Sequence, residues 1–275
     1  MNSTSAVRIG LVALAACVPA FAQLQHNTEK QLTCQNGYQD SRRARHCEIR
    51  EQSVAAIGRL AVESDNGAIA IKGWLQSGVL VRARIDASAE NESAAALLAS
   101  KVWVDASGGR IRATGPDREN DSFWSVSYEI FVPQNGDLEL KSHNGALTVS
   151  DVRGQIHFDL VNGAVRMKRV AGEVSGATVN GAIQVELAGN PSDAREMNFR
   201  TQNGSVTVAM PAAYSARLQA ETNMGGIQSD FPVPVTATDG HTRPRRLDFN
   251  VGAGGPLIHV TTGNGSVRFK RAESE

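Results

Sequence analysis

Apolar and polar positions alternate along much of this chain in short runs, and the runs keep a fixed spacing. Glycines fall at Gly136, Gly145, Gly154, Gly163, Gly172 and Gly181, each nine residues after the last. Two residues beyond each stands an aliphatic side chain: Leu138, Leu147, Ile156, Val165, Val174 and Ile183. Four beyond stand Leu140, Val149, Phe158, Met167, Gly176 and Val185, apolar save for the one glycine. Seven beyond, the middle units carry Val152, Val161, Val170 and Val179. Such alternation predicts a short strand with one buried face. The glycine before it marks a turn position, where positive φ carries no steric cost. A unit of one strand and one turn cannot bury its own face, so it must stack on its neighbours.

Alternate units differ. Asn144, Asn162 and Asn180 precede every second glycine, and Ala146, Ala164 and Ala182 follow it, so the true period is 18 residues, two strands per coil. Coils stacked in register would set the three asparagines about 4.8 Å apart as an amide ladder. The expected fold is all-β: a parallel β-solenoid or β-roll of 18-residue coils with one short capping helix. Looser copies of the unit are Gly58 and Gly67 with Leu60, Val62, Ile69 and Ile71, then Asn203-Gly204, Gly225-Gly226 and Asn264-Gly265. Residues 189–196 and the arginine-bearing 236–246 read as loops. Residues 89–101, rich in Ala and Leu, are the helix candidate, placed over an open solenoid end. Residues 102–104, 111–113 and 125–132 read as strands.

Composition adds limits. The chain has 275 residues, with 28 basic and 28 acidic side chains and a formal net charge of zero. A neutral chain is a poor partner for nucleic acid, which demands a basic excess. The 26 glycines follow no every-third-residue period, which excludes collagen. Residues 1–22 read as a secretory signal: Arg8, an apolar stretch, then Ala20-Phe21-Ala22. That stretch is too short for a transmembrane span. Leu14-Ala15-Ala16-Cys17 also resembles a bacterial lipobox, which would make Cys17 a lipid anchor instead. If Cys17 leaves with the signal, Cys34 and Cys47 remain, and in an exported chain they are expected to form one disulfide. Closing that loop is worth ~3 kcal/mol on the chain-entropy account. The resulting organisation is a signal at 1–22, a disulfide-containing segment at 23–53, strands and the capping helix at 54–133, the repeat at 134–271 and an acidic tail at 272–275.

The run Tyr128-Glu129-Ile130-Phe131-Val132-Pro133, followed by the Asn-Gly-Ala-apolar-x-apolar units, resembles the bacterial putative-adhesin domain family over roughly residues 54–271. The resemblance rests on repeat texture. It implies an exported, non-enzymatic β-solenoid of the cell envelope, of formally unknown function, and brings no catalytic residues with it.

Chemistry was sought in the same rows. Calcium-binding β-rolls need a column of aspartates, but Asp137, Asp151 and Asp159 occupy three different repeat positions. Polysaccharide-cleaving β-helix enzymes need paired carboxylates. The outward columns Thr148–Arg166–Gln184, Ser150–Lys168–Glu186, His157–Ser175 and Asp159–Ala177 are mixed, as a solvated face would be. Asp121, Glu129, Glu139 and Asp230 would have to converge in space. His26, His46, His143, His157, His241 and His259 show no metal spacing, and Arg42, Arg43 and Arg45 read as a solvated face. Trp74, Trp103 and Trp124 are expected in the core at the cap rather than as a sugar platform. The sequence thus predicts no catalytic, cofactor or metal residues, and an exported envelope module binding an unidentified protein or glycan. A carbohydrate-active β-helix enzyme and an envelope stress or signalling accessory are the alternatives.

Overall fold

A strand with one wet face buries every second residue, and the computed structural model shows this in the repeat: residues 137–144 bury Leu138, Leu140 and Ser142, and residues 147–150 bury Leu147 and Val149. The structure describes residues 29–35, 43–56, 58–117, 122–188, 194–234 and 244–272. The expected signal segment with Cys17, and His26, Arg42, Asp121, His241 and Arg243, lie outside the described residues.

The described residues form nineteen strands and one helix. They are β1 (Ala44–Ala55), β2 (Arg59–Asn66), β3 (Ile69–Trp74), β4 (Gly78–Ala89), α1 (Glu92–Ser100), β5 (Trp103–Ser107), β6 (Arg110–Thr114), β7 (Phe123–Pro133), β8 (Asp137–Asn144), β9 (Leu147–Ser150), β10 (Arg153–Asn162), β11 (Val165–Asn180), β12 (Ile183–Leu187), β13 (Ala194–Asn203), β14 (Val206–Met210), β15 (Ala216–Met224), β16 (Ile227–Ser229), β17 (Arg246–Val251), β18 (Leu257–Asn264) and β19 (Val267–Arg271).

Through the middle of the chain, residues 18 apart face one another in parallel pairs. β8, β10 and β11 align Leu138, Ile156 and Val174. β9, β11 and β12 align Leu147, Val165 and Ile183. The parallel β-solenoid expected from this stride is nevertheless not the fold. β4 pairs antiparallel with β1 and with β7, β5 with β6, and β15 with β17, so the sheet is mixed. β1 and β4 each run 12 residues and β7 runs 11, too long for a nine-residue unit with a corner at each end. β11 runs 16 residues, pairing first with β9 and β12 and then with β10 and β13. One strand thereby carries the sheet round the core, bent where Arg169 (φ 52°) and Gly172 (φ 98°) are left-handed. The molecule is all-β with one helix, its mixed sheet curled into a nearly closed barrel around one contiguous apolar cluster.

Positive φ, the expected cause, accounts for part of the glycine column; close backbone approach accounts for most of the rest. A Cβ on Gly145, Gly163 or Gly181 would lie 1.9, 2.0 and 2.0 Å from the carbonyl oxygen of Gly67, Gly145 and Gly163 respectively. These glycines are required because adjacent backbones touch. Gly154 and Gly172 meet both demands, with left-handed φ and a Cβ that would lie 2.4 and 2.3 Å from Gly136 O and Gly154 O, whereas Gly136 meets neither, with nothing nearer than Pro133 O at 3.9 Å. Gly176, the gap in the apolar column, makes room for an aromatic ring: its Cβ would stand 2.5 Å from Cγ of Phe158, the residue paired with it.

Helix α1 begins at Asn91, whose side chain accepts from Ala94 N at 2.8 Å. It buries Ala95 and Ala99 and packs on β4 and β1, against an antiparallel pair rather than over the end of stacked coils. Arg50 donates to the carbonyls of Ala99 (3.0 Å) and Val102, placing its guanidinium at the C-terminal end of the helix, where a cation is favoured.

Candidate functional site

Side-chain rows come first, because the parallel register makes them. Asn144 Nδ2 donates to Asn66 Oδ1 (3.0 Å), Asn162 to Asn144 (2.9 Å), Asn180 to Asn162 (2.8 Å), Asn203 to Asn180 (2.9 Å) and Asn264 to Asn203 (2.7 Å). Behind this row lies one the sequence reading passed over. Two residues before the asparagine stand Ser64, Ser142, Thr178, Thr201 and Thr262, all buried. Each donates its hydroxyl to a glycine carbonyl of the same corner column, for example Thr201 to Gly181 O at 2.9 Å. The signal was legible as Ser/Thr-x-Asn-Gly, broken at Leu160.

The second constellation is a buried carboxylate. Glu129, 2% exposed, points outward from β7 and accepts from Lys72 Nζ (2.8 Å), from Arg82, and from the backbone N–H groups of Gln31 (2.9 Å) and Leu32 (3.2 Å). Burial by itself pushes its carboxyl up, but the Lys72 ammonium and the two N–H groups outweigh it and hold the group below the usual carboxylate range. Lys72 also donates to Glu29 O, Arg82 to Leu32 O and Arg84 to Thr33 O. Residues 29–33 are therefore a strap pinned across β3, β4 and β7. Just beyond it the Cys34–Cys47 disulfide ties the strap to β1, with the Cα atoms 5.8 Å apart. Nothing local in the sequence links Glu129 to residues 31 and 32, so this cluster was not foreseen.

The third is a cleft of about 600 Å³. β6 pairs with β2 only at Ala61 and Val62, and beyond that point Glu63–Asn66 and Arg112–Thr114 form opposite walls. Val126 and Tyr128 of β7 line it too, with Trp124, whose ring lies against Gly115 and whose Nε1 donates to Pro116 O at 2.8 Å. Tyr128 is 1% exposed, and its buried hydroxyl has no hydrogen-bond partner among the described residues. Burial, with the Asp65 charge adding to it, pushes this phenol far above its ordinary value and keeps it protonated.

A Ser–His–Asp string occurs on the outer face of β10 and β11. His157 Nδ1 lies 3.2 Å from Ser175 Oγ and Nε2 lies 3.1 Å from Asp159 Oδ2. The His157 and Asp159 side chains are about half exposed, at 52% and 54%. Both strands are paired on both sides, so their N–H groups are committed to the sheet and none is free to stabilise an oxyanion beside Ser175. The string reads as a surface network.

The remaining candidates scatter. Glu139 pairs with Lys141 (2.8 Å) and Asp230 accepts from Arg271 N (3.4 Å), so the carboxylates Glu129, Glu139 and Asp230 do not share a site. Asp151 pairs with Arg169 (2.7 Å), and Arg45 shares Asp86 with Arg84 (2.7 Å). Among the described residues no group of three His, Cys, Asp or Glu could hold a metal ion. The tryptophans are neither a core cluster nor a platform: Trp103 is 69% exposed on β5, Trp74 tilts against Phe131 at 5.5 Å, and Trp124 lines the cleft.

No protein-family model and no curated protein matches the chain. Among solved structures it is similar to a putative cell adhesion protein from Clostridium sporogenes, at 11% identity and TM-score 0.47, over 82% of this chain and 100% of that one. It is also similar to a putative adhesin from Bacteroides fragilis, at 7% identity and TM-score 0.45, over 82% and 97%. A third is a putative lipid binding protein from Parabacteroides distasonis, at 11% identity and TM-score 0.30, over 82% and 96%.

Proposed function

We propose that this protein is an exported, non-catalytic interaction module of the cell envelope, adhesin-like in that it works by presenting surface to a protein or glycan partner. The observation that carries the reading is the exposed asparagine row, five amide-to-amide bonds long, on a rigid sheet. Side chains already held in place lose little freedom when a partner docks, which is how a flat surface gains affinity. Two features support the rest of the proposal. A disulfide suits an oxidising compartment, as export requires. The Ser175–His157–Asp159 string stands open to water and lacks the electrostatic surroundings that hydrolysis needs. Among the described residues, no helix is long and apolar enough to cross a membrane.

The test is capture with a photo-cross-linker placed at Asn162 on the full exported chain, in intact envelopes. One partner enriched from Asn162, and lost when the cross-linker is moved to Arg153, is the expected outcome. Turnover of an ester or glycan panel that disappears in Ser175→Ala or His157→Ala would overturn the reading.

A further inference from the structure

We infer that the cleft between β2 and β6 is a binding site for a neutral carbohydrate, with the Tyr128 hydroxyl as the buried donor at its floor. The inference deepens the interaction reading above by naming a ligand class and a place. Four observations converge on it. The cleft has a volume of about 600 Å³, within the range of about 300–1,000 Å³ usual for small-ligand sites. Its wall follows from topology: β2 and β6 part after two paired positions, so the opening is part of the sheet's design rather than a loop accident. A tyrosine 1% exposed brings into that wall a hydroxyl with no protein partner, and buried polar groups are ordinarily paired. The surrounding side chains are those that recognise hydroxyl groups: carboxylates Glu63, Asp65 and Asp117 accept, Arg112 donates, and Trp124 offers an aromatic ring to a sugar's C–H face.

The charge balance selects within that class. Among the described lining residues, three carboxylates stand against one guanidinium, a balance that disfavours an anionic ligand because each carboxylate would meet like charge in a partly enclosed space. The tyrosine, held protonated, donates to a ring or hydroxyl oxygen while the Asp65 and Glu63 carboxylates accept hydrogen bonds from hydroxyl groups. A neutral saccharide offers both kinds of atom around one ring.

The test uses the full exported chain with an array of neutral, amino and acidic oligosaccharides, then calorimetric titration with the neutral glycan best retained. Saturable binding is expected to the neutral set and not to an oligogalacturonate. Tyr128→Phe removes one hydrogen bond and is expected to weaken affinity about 3- to 10-fold. Its melting temperature without ligand should equal or exceed the parent's, since an unpaired buried hydroxyl is gone. Asp65→Asn, at an exposed position, should weaken binding by a similar factor without touching the core. Glu196→Gln, on β13 and separated from β2 by β8, β10 and β11, should leave affinity within twofold. Retention of no neutral glycan, binding to amino or acidic glycans or an extended peptide instead, or unaltered affinity in both Tyr128→Phe and Asp65→Asn overturns the inference. A partner captured from Asn162 with no glycan in the cleft would leave the interaction reading standing and sink this one alone.

Discussion

Replacing Gly163 by alanine isolates the physical reason for the glycine column. The new Cβ would lie 2.0 Å from Gly145 O, 2.8 Å from Gly145 C and 3.1 Å from Leu160 Cδ2. Two of those atoms are backbone in the next row, so the clash cannot be relieved by a side-chain rotation. Overpacking of this kind costs about 1–3 kcal/mol. Moving the rows apart also strains the bonds from Gly145 N to Asn162 O (2.9 Å) and from Gly163 N to Asn180 O (3.0 Å). Each such bond is worth about 0.5–1.5 kcal/mol. Alanine returns about 0.4–1 kcal/mol by restricting the unfolded chain. Taken at the middle of each range the net loss is about 3 kcal/mol, which for a chain of this size lowers Tm by about 6–12 °C. Gly136→Ala is the control, because its Cβ meets only Pro133 O at 3.9 Å and its φ is not left-handed. Thermal melts of the two variants followed by circular dichroism make the comparison. A Gly163→Ala protein melting within about 2 °C of Gly136→Ala would refute the close-approach argument.

Two further outcomes follow from the strap. Glu129→Ala should cost about 3 kcal/mol by leaving the buried Lys72 ammonium without its carboxylate while Arg82 keeps Glu51 (3.1 Å), read as a fall in the denaturation midpoint. Because the folded Glu129 carboxyl sits below its unfolded value of 4.5, its contribution is complete above that pH and is lost as pH falls through the lower, folded value. The Tm gap between the parent and Glu129→Gln should therefore hold from pH 7 to about 5.5 and narrow below about 4.5; a gap unchanged down to about pH 3 would contradict the assignment. Replacing Cys34 and Cys47 together by serine should remove ~3 kcal/mol on the chain-entropy account and open residues 29–35 to limited proteolysis while the barrel resists. Cleavage kinetics identical to the parent's would show that the ion pairs alone hold the strap.

Much of this molecule was legible without coordinates, wherever information repeats locally. Residues 18 apart pair in parallel, so Leu138, Ile156 and Val174 fall in one buried row and Asn144, Asn162 and Asn180 in one exposed row. The sequence alone also singled out Cys34 and Cys47 as the pair to bridge once Cys17 is set aside, and the disulfide joins them. What it misjudged was how far the repeat governs the whole. Strand direction is decided by pairing between segments distant in the chain, and β4 alternates as any half-buried strand does, parallel or antiparallel. Positive φ, the cause expected for the glycine column, holds at Gly154 and Gly172 but not at Gly145, Gly163 and Gly181, because a backbone-to-backbone approach such as that between Gly163 and Gly145 leaves no trace in either residue's own neighbourhood.

The sites divide in the same way. A row of side chains is a property of spacing, so the sequence by itself determined the asparagine row and the alternation that buries its neighbours. A cluster is a property of closure. Glu129 accepts from backbone N–H groups 98 and 97 residues away, and Tyr128 reaches a cleft that exists only because β2 and β6 separate. Only the tertiary structure decided these, since the free energy that places a buried carboxylate or phenol belongs to the elements that converge on it.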